Sequence, residues 1–447
     1  MVIMNPIGDN NMVGKIYRRL MHKRIVAVEQ TKTMTAKFLT RDARECKQVE
    51  LFNAIWKLAR ENVPFYQKWQ SKYGLPDVVE NLGALKDWPI LTKADLRKLE
   101  DFRRTDVSYP TGHILTGGST GEPVHLPSWG DSTAGISQMM GRAAYGIELG
   151  DRTFLLWGHE HLYGTGIKRK VNAYKRRFKD WLAGWTRVSA YDLGASAMTA
   201  AFEKFKRCQP KFVIGFSPAV LAFCRINRAN AGVVKSAKVI LCTAGPLTED
   251  EKLEIEAFFG GKVCMEYGSV ECGIMAYTRP ADGKYNVFWN THLIQAKKED
   301  GEYKNLVTRL TDCYVPLIRY DIGDYLELDP KDEADNERSV LEIKTVKGRP
   351  SEMLKFKCGV SFFGALIGDC VKQVPEVLSS QIAVNEEGDL LEIRVTANGV
   401  LATASLDLIK NRFELTVANA DNLTIKVVQV PKLFTTVGGK TPRVLRI

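Results

Sequence analysis

The chain has 447 residues, a formal net charge of +11, 45% hydrophobic and 26% charged residues. That is the balance of a soluble globular protein of two or three domains. No apolar run reaches the roughly 18 residues a spanning helix needs, which excludes such a segment.

The start, MVIMNPIGDNN, lacks a charged-then-apolar signal pattern, so a cytoplasmic location is expected. The nine cysteines form no C-x-x-C pair and sit among apolar residues. Reduced, mostly buried thiols are expected, and no structural zinc site. The positive charge gathers in KIYRRLMHKR (15–24) and KRKVNAYKRRFK (168–179). It implies an anionic partner: a nucleotide, a polyanion or a membrane surface. No specific nucleic-acid partner is expected, and oligomeric state is not encoded in any motif.

Residues 1–105 read as a mainly helical lead-in. A helix is expected over 43–61, with Leu51, Phe52, Ile55, Leu58 and Ala59 on one side. Pro64 in NVPFY stops it. WPILTKADLRK (88–98) reads as an extended piece followed by a helix start.

LTGGSTGEP (115–123) packs three glycines, one serine and two threonines into positions 116–122. Glycine permits strained backbone, so successive N–H groups can converge on one point. Hydroxyls add donors. The loop suits a phosphate, or is an ordinary turn. Glu122 stands where the common phosphate loop has lysine.

TFLLW (153–157), KFVIGF (211–216), AKVILCT (237–243) and KVCMEY (262–267) read as buried strands alternating with helices. Thr248 and Glu251 form a capping box, and Gly260 and Gly261 end that helix. This is an α/β pattern with ligands at the strand C-terminal ends. Between them, 167–185 carries a helical stripe of Ile167, Val171, Tyr174, Phe178, Trp181, Leu182 and Trp185, with seven Lys/Arg on the other faces. It reads as a surface helix packed on the core, or one facing a membrane or polyanion. Residues 303–328 look strand-like. A compact last piece has strands at 389–396 and 423–430 and a helix near 402–416. A boundary is expected at 348–351.

Four later stretches bear chemistry. In MEYGSVECG (265–273) an aromatic, a glycine and a carboxylate follow a strand, offering a flat surface for a base and a ligand for Mg²⁺. In PLIRYDIGD (316–324), Asp324 could accept two ribose hydroxyls. KGRPSEMLKFKCG (347–359) and VGGKTPRVLRI (437–447) complete the set. Singly, each has an ordinary reading: Glu271 beside a helix cap, Asp324 in a turn, Arg349 on the surface, Lys440 in a tail.

Their order and spacing resemble the adenylate-forming superfamily of acyl-CoA synthetases. The likeness is greatest to its phenylacetate–CoA ligase-like branch and the members of that branch associated with capsular polysaccharide biosynthesis. It runs from about residue 46 to the C-terminus through NVPFYQKW, LKDWPILTKADLR, TGGSTGEP, GFSPAVL, TAGPLT, YGSVECG, VPLIRYDIGD, GRPSEMLKFKCGVSFFG and GGKTPRV.

The resemblance implies an α/β protein: a large N-terminal domain of β-sheets flanked by helices, joined by a hinge to a small α+β C-terminal domain. Residues 1–105 would be the helical part of the large domain, 106–349 the adenylate-forming core and 350–447 the mobile domain, hinged at Ser351. The substrates would be ATP with Mg²⁺, a carboxylic acid, and coenzyme A or an amine as acceptor.

Thr116, Gly117, Gly118, Ser119, Thr120 and Gly121 would hold the β- and γ-phosphates. Ala244, Gly245 and Tyr267 would hold adenine, with Gly268 and Ser269 in the same motif. Glu271 would hold Mg²⁺. Asp324 would take the ribose, assisted by Arg349. Lys440 would bridge the attacking carboxylate and the α-phosphate. A lysine about 4 Å from the reacting oxygens contributes on the order of 4 kcal/mol, about three decades in rate. Trp157, His159, His161, Phe216 and Gly273 would line the acid pocket. Cys272 and Cys358 raise the idea of an enzyme-bound thioester. Ser351 and Glu352 replace the paired aspartates common at the hinge.

An amide-forming ligase acting on an amino sugar or amino acid is the alternative. A non-catalytic nucleotide-binding protein in an envelope-assembly complex is another.

Overall fold

The computed structural model describes residues 12–110, 112–115, 125–127, 132–157, 166–188, 190, 195–243, 247, 249–299, 301–330, 338–348, 353–356, 358, 360–363, 367, 370–371, 374, 376–385, 387–397, 399–417, 423–434 and 444–447.

The lead-in is helical, as its pattern requires: α1 (Met12–Leu20), α2 (His22–Thr35), α3 (Arg41–Asn62), α4 (Pro64–Tyr73) and the short α5 (Lys93–Leu96). The Ala43 N–H donates to Thr40 Oγ1 at 3.2 Å, capping α3, and Asp42 complements its dipole. Val63 is extended (φ −124°) because Pro64 follows it, and Pro64 then starts α4. Gly74 ends α4 at φ 61°. A capping box of Thr92 and Asp95 starts α5.

This lead-in is built into the large domain. Phe52, Trp56, Tyr66, Trp88 and Phe102 share one core with Leu293, Ile318, Tyr320 and Ile343. The Tyr66 hydroxyl donates to Pro316 O at 2.7 Å and accepts from Ile318 N at 3.3 Å. Leu91 pairs in parallel with Tyr320. NVPFY and WPILT therefore hold the PLIRYDIGD stretch in place.

The strands β1 (His113–Leu115) and β2 (His125–Pro127) pair antiparallel. After α6 (Ser132–Ala143), β3 (Thr153–Leu156), α7 (Gly166–Leu182), β4 (Trp185–Val188), α8 (Ala195–Cys208), β5 (Phe212–Phe216), α9 (Ser217–Ile226), β6 (Val239–Thr243), α10 (Glu249–Phe259) and β7 (Lys262–Ser269) alternate. The four expected strands are β3, β5, β6 and β7. They run parallel in the order β4-β3-β5-β6-β7. Phe202, Phe205, Phe223, Phe258 and Phe259 on α8, α9 and α10 pack together with strand residues such as Val213 and Ile240. Gly260 ends α10 at φ 68°, as expected. Thr248 of the expected capping box lies outside the described residues.

One expectation for 167–185 changes: Trp185 begins β4 instead of extending the helix. Of the two orientations left open for the apolar stripe, Val171, Tyr174 and Phe178 take the outward one and face solvent. The docked side carries Asp180, which Arg187 of β4 binds through Nε at 2.7 Å.

The sheet continues antiparallel from β7 through β8 (Gly273–Thr278) and β9 (Tyr285–Val287). A second, antiparallel sheet holds β10 (His292–Glu299), β11 (Glu302–Arg309) and β12 (Tyr320–Glu327). Then β13 (Glu342–Ile343) closes the first sheet and β14 (Thr345–Gly348) the second.

The last piece is α+β. It contains β15 (Met353–Lys355), β16 (Ser361–Phe363), β17 (Val377–Val384), β18 (Leu390–Ala397), α11 (Thr403–Thr416), β19 (Thr424–Gln429) and β20 (Val444–Arg446). Its four-stranded sheet runs β19-β18-β17-β20. Its core, from Leu354 to Val444, is separate from those of the large domain. Of the expected boundary at 348–351, Gly348 ends β14 and residues 349–351 lie outside the described ones.

Candidate active site

The carboxyl edge of the parallel strands gathers several of the expected residues. Trp157 follows β3 and Phe216 ends β5, and their rings lie 4.4 Å apart at 37°. Ser217 Oγ donates to Thr243 O at 3.2 Å, and Thr243 Oγ1 donates to Glu266 O at 3.4 Å. These links tie the ends of β5, β6 and β7 into one rim.

The YGSVECG turn joins β7 to β8. Its glycines are steric requirements. A Cβ on Gly268 would lie 2.5 Å from Gly273 O. Gly273 itself has φ 77°. Ser269 Oγ accepts from Cys272 N at 3.0 Å and closes the turn. His292 Nε2 bonds Cys272 O at 2.9 Å. A carbonyl only accepts, so Nε2 carries the hydrogen and Nδ1 faces Thr291 Oγ1 at 2.9 Å.

Two hydrogen bonds then join this turn to β12. The Tyr267 hydroxyl donates to Asp324 Oδ2 at 2.9 Å. The Tyr320 hydroxyl donates to Glu271 Oε1 at 3.1 Å. Tyr320 and Asp324 are four residues apart on β12, on either side of an irregularity in its pairing with β11 where Gly323 has φ 85°. Glu271 is buried, 9% exposed. Its backbone carbonyl accepts from Arg309 Nη1 at 3.4 Å. Asn305 donates through Nδ2 to the Tyr267 oxygen at 2.8 Å, while its own Oδ1 is buried without a partner.

Burial, helped by the Asp324 charge, pushes the Tyr267 phenol well above its ordinary pKa, so it stays a donor. Burial likewise pushes up the Cys272 thiol, with Glu271 adding to the rise. Burial therefore disfavours the thiolate that a thioester on Cys272 would need. Arg319 of PLIRYDIGD is buried, and burial lowers its pKa to about 10. It bonds Gln295 Oε1 at 3.0 Å and Lys86 O at 3.1 Å, a structural role.

Of the expected site residues, Tyr267, Gly268, Ser269, Glu271, Gly273 and Asp324 come together. Trp157 and Phe216 meet on the same edge. Thr116, Gly117, Gly118, Ser119, Thr120, Gly121, His159, His161, Ala244, Gly245, Arg349, Ser351 and Lys440 lie outside the described residues. Sequence reasoning missed Tyr320, Asn305, Arg309 and His292. Tyr320 had a signal only in lying inside the PLIRYDIGD stretch. The other three sit in strands without a motif.

Glu271 fits Mg²⁺. It is a hard oxygen donor with capacity beyond the single Tyr320 bond. No group of three or more metal-binding side chains exists among the described residues. Magnesium commonly takes one or two carboxylates and completes its shell with phosphates and water.

No family model matches the chain. Protein CapK of Staphylococcus aureus is 24% identical over 407 residues, 89% of each chain. A 2-hydroxyisobutyryl-CoA ligase with 2-HIB-AMP and CoA, in its thioesterification state, is similar at TM-score 0.58 and 16% identity, over 92% of this chain and 91% of that one. The same ligase in its postadenylation state with R3-HIB-AMP is similar at TM-score 0.57 and 14% identity, over 92% and 91%. The chain has the fold of the adenylate-forming acyl-CoA ligases.

Proposed function

We propose that this chain is an ATP- and Mg²⁺-dependent ligase. It adenylates a carboxylic acid, releases pyrophosphate, and passes the acyl group to coenzyme A or another acceptor. The single observation that carries this reading is the pair of tyrosine bonds that hold Glu271 and Asp324 around one site. A metal carboxylate and a ribose carboxylate belong on opposite ends of one nucleotide. The ligase fold and the residue order support it.

The chemistry asked of the site is charge neutralisation and positioning, because a carboxylate must approach a phosphate. Thr116 to Gly121 cradle the β- and γ-phosphates. Ala244, Gly245 and Tyr267 border adenine, and Tyr267 also fixes Asp324 for the ribose, with Arg349 beside it. Glu271 holds Mg²⁺, which when bound offsets phosphate charge. Trp157 and Phe216, with His159, His161 and Gly273, wall the acid pocket. Lys440 bridges acid and α-phosphate once residues 350–447 turn about Ser351 against the core at 106–349. We place the reaction in the cytoplasm and, on the likeness to CapK, in capsule or exopolysaccharide synthesis.

Acid-dependent exchange of labelled pyrophosphate into ATP tests the first half-reaction. Its absence across a broad acid panel, with Lys440→Ala changing no other activity, would overturn the proposal. Omitting coenzyme A from full turnover separates acid–thiol from acid–amine ligation.

A further inference from the structure

The helix α7 turns its apolar stripe outward. Val171, Tyr174 and Phe178 are 46%, 78% and 56% exposed. Their spacing of three and four residues puts them in one line along the helix. They line an open groove with Lys170 and Lys175, and Arg177 and Lys179 are exposed beside them. The only acid on α7, Asp180, is buried and bound by Arg187 and Arg176. Apart from Asn172, the exposed residues of α7 with described side chains are apolar or cationic, and none is a carboxylate.

The helix α1 extends the same character. It packs against α7. Ile16 and Leu20, one turn apart, are exposed, and so is Arg19. Arg18 anchors α1 from its other side, donating from Nε to Leu149 O at 3.0 Å. Tyr17 is half-buried and feels the charges of Arg24, Arg142 and Asp180, which places it between α1 and its neighbours.

We propose that α1 and α7 together form a docking surface for an anionic lipid bilayer. Tyr174, Phe178, Val171, Ile16 and Leu20 would enter the headgroup boundary, and the lysines and arginines would meet lipid phosphates. Apolar burial and attraction to anionic lipid act together in such surfaces, which explains why both residue classes share one face. A polyanion in solution would use the charges but leave the aliphatic side chains in water. No helix among the described residues is long and apolar enough to cross a membrane, so attachment is to the surface. This inference stands apart from the ligase reading.

The full chain is sedimented with vesicles of phosphatidylcholine alone or mixed with phosphatidylglycerol. Binding is expected to the mixed vesicles only, weakening as salt rises. Tyr174→Ser with Phe178→Ser should lower the bound fraction about fivefold. Lys170→Glu with Lys175→Glu should lower it roughly tenfold or more. All four residues are exposed, so an unchanged melting curve and far-UV circular dichroism spectrum confirm folding. Failure to bind mixed vesicles overturns the proposal, as does binding that neither variant affects. Loss of a dimer in the serine variant without any vesicle effect would assign the surface to a second copy instead. Capture by heparin that exceeds vesicle binding and ignores the serine changes would assign it to a polyanion.

Discussion

The Tyr267 hydroxyl and Asp324 Oδ2 lie 2.9 Å apart, and the bond joins the end of β7 to β12 of the second sheet. Because Tyr267 stays protonated, it donates to Asp324 throughout the working pH range. A hydrogen bond to a charged group contributes about 1.5–3 kcal/mol. Tyr267→Phe should therefore raise the KM for ATP in pyrophosphate exchange by roughly tenfold to a hundredfold. ATP analogues lacking ribose hydroxyls should bind the wild type weakly and lose little more in Asp324→Asn. If that variant still discriminated against them, Asp324 would not face the ribose.

Tyr320 gives a parallel prediction. Its hydroxyl is held on Glu271 Oε1 at 3.1 Å, which orients the carboxylate. Such supporting bonds commonly set metal affinity by about tenfold or more. Tyr320→Phe should raise the Mg²⁺ concentration for half-maximal exchange by about that factor, with saturating-Mg²⁺ kcat far less affected. An unchanged Mg²⁺ profile would deny Tyr320 this role.

The sequence disclosed the site better than its supports. YGSVECG and PLIRYDIGD are contiguous motifs, each with a carboxylate close to a glycine and a tyrosine. Nothing in KNLVTR announces that Asn305 would reach Tyr267, because the two residues sit on strands of different sheets, 38 residues apart in the chain. The strands β3, β5, β6 and β7 were legible as short apolar runs, since parallel strands are covered on both faces. The orientation of α7 stayed open between two readings. Periodicity shows that one face differs from another but not which faces the core, and here Asp180 docks the helix.

Gly268 is open to a direct steric test. A methyl there meets the Gly273 carbonyl at 2.5 Å, backbone against backbone, so the hairpin must shift. Gly268→Ala should destabilise the protein by about 1–3 kcal/mol and abolish most exchange activity. Gly283→Ala is an informative contrast. It strains a positive φ of 69° but has open space, so it should cost stability while sparing activity. Equal activity loss in both would mean that Gly268 matters only for global stability.

The cysteines give a chemical readout. Cys46 is exposed and Cys358 half-buried, while the other seven, Cys272 among them, are buried. Ellman's reagent should titrate at most those two thiols quickly in the native protein and all nine after denaturation. Cys272→Ala should retain exchange and acyl transfer. Hydroxylamine-sensitive acyl label on the wild type that vanishes in this variant would restore the enzyme-bound thioester.

Acid stability should depend on Arg104. This guanidinium is buried and donates to both oxygens of Asp106, at 2.9 and 2.6 Å, to Asp312 Oδ1 at 2.5 Å and to Cys313 O at 2.9 Å. It fastens the end of the helical lead-in to the stretch just before PLIRYDIGD. The hydrogen bond from Arg104 is the main reason the Asp106 carboxyl titrates below its ordinary range. In the unfolded chain Asp106 binds a proton near pH 4, and in the folded chain only at lower pH. The unfolded state therefore holds more protons between those values, and stability there rises with pH. The contribution is complete above about pH 4 and is lost as pH falls through the folded value. Partial exposure of Asp106 screens it, so the effect is modest. Asp106→Asn should melt below the wild type at pH 7, and the gap should close on acidification below about pH 4. Melting curves at a series of pH values test this. A gap that stayed constant, or widened, would show that Asp106 acts by packing and not by charge.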